Sequence, residues 1–355
     1  MNIDFVATGI ALATFFGISA LMALSLNLEY GVAGIPNFGQ ALFVSIGAYV
    51  AALTYTYLLP VLAAHDPIYP CGPTLPEALQ LRTGIIRNAL DVGLFNLWWT
   101  FIIAAAIGGL VGYLASYPAL RVKQEWYLAL VLLVASEIVR IFVRGYEPII
   151  CAHNGMSGIA QPFVAVGEPT LASILFAVLV LGLVAVVFVY SERLIRSPYG
   201  RLLKAMREND EVARSLGKRV ARVRGQIMFI GSAIAAVSGV LFVINLGFAS
   251  ANDYVVVLTL DIWVMVVLGG VGNNWGALLG ALIVTILDRA TAVAAIQLDV
   301  INVGLEFTFV RFILFGIIIL LMLRFRPQGL LPEKPLTTKA HDVLRGTQQG
   351  QTAVE

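Results

Sequence analysis

Charged residues are scarce in this chain. Asp, Glu, Lys and Arg make up 12% of its 355 residues, against roughly a quarter in a soluble domain. Histidine is scarcer still. His65, His153 and His341 lie far apart with no metal-ligand spacing, so no metal centre is expected. No GxxxxGK[ST] phosphate loop occurs, and no catalytic or cofactor-binding residue is expected either. The opening MNIDFVATGI lacks the basic start and small-residue cleavage site of an export signal, and reads as the beginning of a first span. Nothing points to a nucleic-acid partner.

What fills the chain is apolar: 59% of the residues are hydrophobic. Repeated runs of about 20 apolar residues match the thickness of a bilayer. The expected fold is therefore an all-α, polytopic membrane protein. Hydropathy places about nine spans, near 5–26, 40–62, 96–118, 126–146, 170–190, 226–248, 256–271, 277–296 and 305–323. One membrane domain over 1–325 and a polar tail over 326–355 follow from this division.

Charge placement orients the spans. With segment 191–225 on the cytoplasmic side, most of the 23 Lys and Arg residues fall inside, and only Arg82 and Arg87 lie in a clear outer loop, 63–95. The positive-inside rule then puts the N-terminus outside and the C-terminus inside. Cys71 and Cys151, the only cysteines, both fall in outer segments. In an oxidising compartment they could form a disulfide, and two separate thiols remain the alternative.

Two apolar stretches are broken by glycine in similar ways. LNLEYGVAGIPNFGQALFVSIGAYVAAL begins at Leu26 and VVLGGVGNNWGALLGALIV at Val266. Both contain an asparagine–aromatic–glycine triplet, Asn37-Phe38-Gly39 and Asn274-Trp275-Gly276. Small residues pack helices closely, but a pair of broken segments in two halves also marks a translocation pathway. On that reading Asn37, Phe38, Gly39, Gln40, Asn274, Trp275 and Gly276 line the path. Glu137 and Arg140, three residues apart inside an apolar run, share a helical face and are natural partners within the membrane. They could brace helix packing or line the pathway.

The polar island Arg196–Gly225 divides into two short amphipathic helices. Ser197 can cap the first, with Pro198 in its first turn. Asn209 or Asp210 can cap the second, and Gly217 stands where a left-handed residue closes a helix. Leu202, Leu203 and Met206 give the first an apolar side; Val212, Ala213 and Leu216 do so for the second. Such stubs suit a contact with the anionic lipid surface, the chain's own spans or a soluble partner.

SPYGRLLKAMRENDEVARSLGKRVARVRGQIMFIGSAIAAVSGVLF, from Ser197, resembles the cytoplasmic loop and following span of the branched-chain amino acid permeases, of the LivM type. SLNLEYGVAGIPNFGQALFVSIGAYVAA, YLALVLLVASEIVRI followed by NGMSGI, VVLGGVGNNWGALLGA and RFRPQGLLPE are also similar to that family, in its order, from about Leu24 to Glu333. The chain departs from the family at 154–158, where a TGG-type turn is frequent, and in its longer outer segment 63–96.

The resemblance implies a permease subunit of an ATP-binding cassette importer, forming half of the path for branched-chain or other hydrophobic amino acids, in the inner cell membrane. Implied partners are a second permease, two cytoplasmic ATPases that carry the ATP and magnesium, an external binding protein, and membrane lipid. An E-x-A-x-x-x-G pattern at Glu211, Ala213 and Gly217, with Arg207, Glu208, Asn209, Asp210 and Leu216, would form the helix that docks on the ATPase. Permeases for urea or short amides are similar as well. A stand-alone, ion-gradient-driven carrier is the alternative of a different class; it would use intramembrane groups such as Glu137, Asp261 or Asp288.

Overall fold

The computed structural model describes residues 5–121, 125–298 and 307–333. The end of the expected tail, from residue 334, lies outside the described residues, as does 122–124. α1 (Phe5–Leu26) passes directly into a π-helical turn, Asn27–Val32, and α2 (Gln40–Leu53) passes through a second, Thr54–Leu58, into α3 (Leu59–Leu62). α4 (Leu75–Asn88), α5 (Leu90–Arg121), α6 (Glu125–Gly145), α7 (Glu147–Ile150) and α8 (Pro169–Arg196) follow. The polar island forms α9 (Pro198–Glu208) and α10 (Asp210–Ser215). Then come α11 (Val220–Leu246), α12 (Val256–Gly269), α13 (Asn274–Leu298) and α14 (Phe307–Phe325). The strands among the described residues are two short ones, Met156–Ser157 and Phe248–Ala249, paired antiparallel.

Among the described residues, six helical stretches are long and apolar enough to cross a membrane: Val6–Val32, Gln40–Leu62, Leu90–Tyr117, Pro169–Arg196, Val220–Leu246 and Ala251–Gly269. The other three ranges expected as spans are helices too, α6, α13 and α14. α6 carries Glu137 and Arg140 within its length, joined at 2.6 Å. Their pairing offsets part of the cost of placing charge in an apolar helix.

α1, α2 and α11 form the centre, and α2 is buried along nearly its whole length. Lipid tails are as apolar as leucine, so burial of grease does not drive helices together inside a bilayer; close packing does. Small residues allow it here. Gly47 of α2 sits against the Ala236 carbonyl of α11, and Gly239 of α11 sits against the Val44 carbonyl of α2. A methyl at either site would collide with backbone. On its other side α11 meets α5, where Gly112 faces Ser232.

Segment 63–95, expected as an outer loop, is largely helical. It contains α4, and α5 begins at Leu90 rather than 96. α4 is amphipathic, and a hydropathy window averages its two sides to near zero. It carries Arg82, which is 2% exposed. Arg82 Nε donates to the Ala78 carbonyl at 3.1 Å and Nη1 to Thr56 Oγ1 at 3.3 Å, while Nη2 has no partner among the described residues. Burial lowers this guanidinium from its usual range to about 10. Cys71 and Cys151 are joined by a disulfide, with their Cα atoms 5.3 Å apart. The bridge ties the segment before α4 to the end of α7.

Candidate functional site

The π-helical turn Asn27–Val32 is the point where the two broken segments meet. α1 cannot simply continue, because Gly34 and Pro36 follow within a few residues, and π-helical turns often mark functional positions. The turn buries two polar side chains completely, Asn27 and Glu29. Such groups need partners inside a membrane. Glu29 Oε2 accepts hydrogen bonds from Asn37 Nδ2 at 2.7 Å and Gln40 Nε2 at 2.6 Å. Its Oε1 accepts from Ser232 Oγ at 3.2 Å, and Gly231 leaves room for the carboxylate against α11. One side chain thus fastens α1, the start of α2 and α11 together.

Asn27 serves the second half. Its Oδ1 accepts from Gly272 N at 2.9 Å and its Nδ2 donates to Asn274 Oδ1 at 2.9 Å. Asn274 Nδ2 donates in turn to Glu192 Oε1 at 3.2 Å, and Glu192 pairs with Arg196 at 3.0 Å. A polar chain therefore runs from the end of α8 through the start of α13 into the end of α1.

The triplet residues divide between these contacts. Asn37 and Gln40 converge on Glu29, and Asn274 on Asn27. Phe38 stacks on Trp263 at 4.4 Å, and the indole Nε1 donates to the Asn37 carbonyl at 3.2 Å. Gly39 lies against the Leu132 backbone, and Gly276 against Gly269 and Gly270. Trp275 stands apart: it is 59% exposed, and among the described residues its ring contact is with Phe188, edge to face at 4.7 Å. The two helix starts are capped alike, but one residue out of register with the triplets. Asn37 Oδ1 accepts from Gly39 N, whereas Asn273, not Asn274, accepts from Trp275 N. This frees Asn274 to face Asn27.

Below this hub lie α9 and α10. Ser197 caps α9 by accepting from Gly200 N at 3.2 Å. Asn209 caps α10 by accepting from Glu211 N and Val212 N, each at 3.0 Å. Gly217 closes the pair with φ +75°. Leu203 and Met206 are buried against the bundle. Tyr199 donates to the Val223 carbonyl at 3.3 Å, and burial pushes its phenol up to about 12, with Tyr190 nearby adding to the shift.

The residues expected to face a docking partner do not all face outward. Arg207 turns inward. It donates to the Gly31 carbonyl and pairs with Glu333 at 2.7 Å. Asp210 is held by Arg214 at 3.2 Å and Arg224 at 3.0 Å, and Ala213 is buried. Glu208, Asn209, Glu211, Leu216 and Gly217 lie on the surface. The apolar side expected for α10 is likewise split. A helix of six residues buries Ala213 but leaves Val212 53% and Leu216 72% exposed, side by side at i and i+4.

A segment after α14 completes the site. Leu330 N donates to the Leu268 carbonyl at 3.0 Å and Leu331 N to the Gly269 carbonyl at 2.9 Å. Asn273 Nδ2 donates to the carbonyls of Leu331 and Pro332, each at 3.2 Å. Glu333 then reaches Lys204 at 2.6 Å and Arg207 at 2.7 Å. The segment straps the break between α12 and α13 to α9. Sequence reasoning missed Asn27, Glu29, Glu192, Ser232 and Glu333. Glu29 carried a usable signal, an acid inside an apolar run; Glu333 carried none.

Residues 9–323 match the family described as branched-chain amino acid transport system / permease component. A probable branched-chain amino acid transport permease protein LivM of Methanocaldococcus jannaschii is 33% identical over 346 residues, covering 95% of this chain and 96% of that one. A high-affinity branched-chain amino acid transport system permease protein LivM of Escherichia coli K12 is 26% identical, covering 90% and 69%. The corresponding LivH protein of the same organism is 25% identical, covering 77% and 81%. No solved structure matches the chain.

Proposed function

Because the chain belongs to the family of branched-chain amino acid transport permease components, we propose that it forms one half of the translocation path of an ATP-driven importer for hydrophobic amino acids. A second, LivH-like permease would supply the other half. Two cytoplasmic ATPases would bind ATP and magnesium, an external binding protein would deliver the amino acid, and this chain would hold no cofactor and no catalytic residue. It would sit in the cell's inner membrane with α9 and α10 on the cytoplasmic side.

The observation that carries this reading is the two-sided character of α9 and α10. Their outer side presents Glu211 and the exposed Val212–Leu216 ridge, a surface suited to a soluble partner. Their inner side is bonded to the hub through Arg207, Lys204 and Glu333. A movement imposed on α9 is thus passed to Gly31 and from there to the turn that holds Asn27 and Glu29. Partner binding shifts such an equilibrium only if it favours one arrangement of these contacts over the other. The test is purification of the tagged chain from its native membranes in a mild detergent, with co-purifying proteins identified by mass. A P-loop ATPase and a second permease are expected. Recovery of the chain alone, under conditions that keep other complexes intact, would refute the assignment.

A further inference from the structure

α8 packs on α1, and α5 packs on α11. Between α8 and the α5–α11 pair, with α9 across its end, lies a cavity of about 740 Å³. Its volume falls within the roughly 300–1,000 Å³ typical of small-molecule sites. The contact of α5 with α11 shapes one wall, where the Phe229 ring lies against Gly109 and the Tyr113 ring against Gly225. Tyr190, Arg193, Gln226 and Phe229 line the cavity and are exposed, so it opens on the surface of the bundle and not into the hub.

The cavity has a charged end and an apolar end. Arg193, in the last turn of α8, is the one charged side chain among its described lining residues. The guanidinium has neither an ion pair nor a hydrogen bond among the described residues. The adjacent acid does not serve it, because Glu192 is taken up by Asn274 and Arg196. Gln226 brings an exposed amide to the cavity from α11. Phe229 and Ile230 follow Gln226 at i+3 and i+4, on the same helical face and one turn farther into the span. Tyr190 and Tyr199 flank the charged end, as aromatic residues do at the level of membrane head groups.

An arginine at the end of a span ordinarily reaches out to bulk head groups. Here it stands at the mouth of a cavity whose apolar wall leads inward from the charge. A cation without a counter-ion calls for an anion, and the wall calls for a hydrocarbon chain attached to it. Basic pockets between membrane helices recognise anionic lipid head groups in this way. We propose that the cavity holds one anionic phospholipid, with its phosphate at Arg193 and Gln226 and an acyl chain along Leu194, Phe229 and Ile230. The lipid fills the gap that α8 leaves beside α11 and bears on α9 at Tyr199. The site is independent of the importer reading and needs only a chain that spans a membrane.

The test uses the full chain purified in a mild detergent and incubated with phosphatidylglycerol or with phosphatidylcholine of the same acyl chains. Bound lipid is counted by native mass spectrometry. Phosphatidylglycerol is expected to bind more tightly, and Arg193→Gln to weaken it about tenfold or more, the loss that removal of a charge-assisted hydrogen bond brings. Arg193→Lys, which keeps the charge, should retain part of the affinity. Arg196 is 80% exposed and lies outside the cavity, so Arg196→Gln should change binding by less than about twofold. On the unmodified chain, phosphatidylglycerol with a photoactivatable acyl chain should cross-link to α11 around Phe229 and Ile230.

Equal binding of the two lipids would overturn the role given to Arg193. Equal losses in Arg193→Gln and Arg196→Gln would show general surface attraction in place of a site. Cross-links that avoid α11 would overturn the position of the acyl chain, and need no variant to fold. Displacement of the lipid by inorganic phosphate would identify a free-anion site and overturn the lipid assignment.

Discussion

Arg207 and Glu333 are 126 positions apart in the chain and joined by a 2.7 Å hydrogen-bonded ion pair. Each has a second attachment, Arg207 to the Gly31 carbonyl and Glu333 to Lys204. The pair connects α9 to the end of the last described segment and to the hub in one step.

The two partners are not equivalent. Removing Glu333 strands Lys204, whose side chain is only 9% exposed, as well as Arg207. Removing Arg207 leaves the Lys204–Glu333 pair intact. Glu333→Ala is therefore expected to cost about 1–3 kcal/mol of stability, and Arg207→Met less, since an orphaned buried charge costs more than a lost partial contact. Thermal unfolding of the purified variants gives the order. In transport assays both should lower uptake per ATP hydrolysed, and unchanged coupling in both would show that this link carries no motion.

Glu29 is an acceptor facing three donors. Glu29→Leu leaves Asn37, Gln40 and Ser232 without their shared acceptor, at about 1–3 kcal/mol for each buried group left unsatisfied. Glu29→Gln retains one carbonyl oxygen and should cost less. The two variants, compared by thermal unfolding in detergent, are expected to fall in that order, and equal melting temperatures for both and the parent would contradict the hub.

Gly217 adopts φ +75° and its N–H donates to the Arg214 carbonyl at 2.9 Å. Proline can satisfy neither condition, so Gly217→Pro should disrupt the end of α10 at a local cost of more than about 1 kcal/mol. The spans are untouched. ATP hydrolysis by the assembled importer should persist while uptake falls, and Glu211→Lys should act the same way by reversing charge on the outer side. Normal uptake by either would show that this surface does not dock.

Arg82 is a buried cation with no ion pair among the described residues, and burial lowers it to about 10. The folded state thus binds its proton less tightly than the unfolded state. This disfavours folding at every pH below about 10, and the cost is relieved only as pH rises beyond that value toward the ordinary arginine range. Arg82→Met, of similar length, should leave stability equal or higher, with a difference that stays constant from pH 5 to 9. Arg82→Ala should lower stability by leaving a void. A pH-dependent difference for Arg82→Met would show that another charge faces this site.

The features readable in sequence were those fixed by neighbours along the chain. Ser197, Asn209 and Gly217 cap and close helices through bonds to residues two to four positions away, so their roles follow from local pattern. Apolar run length located the helices for the same reason. α4 escaped because its polar and apolar sides cancel in an average, and the early start of α5 escaped with it. The hub depended on distant partners. Asn37 and Asn274 were visible as a repeated triplet, but what each touches, Glu29 or Asn27, follows from packing. Trp275 shared the motif yet faces outward, because the capping asparagine in that half is Asn273. Glu333 lies in a short polar segment whose sequence gives no sign of Lys204 or Arg207.

The strap also has a consequence for biogenesis. Residues 329–333 are made after every described helix, yet they close the gap between α12 and α13 and lock α9 in place. A nascent chain therefore carries α9 unsecured until Glu333 has been made. A stop between Arg326 and Glu333 would leave α1 to α14 complete but α9 without the carboxylate that holds Lys204 and Arg207.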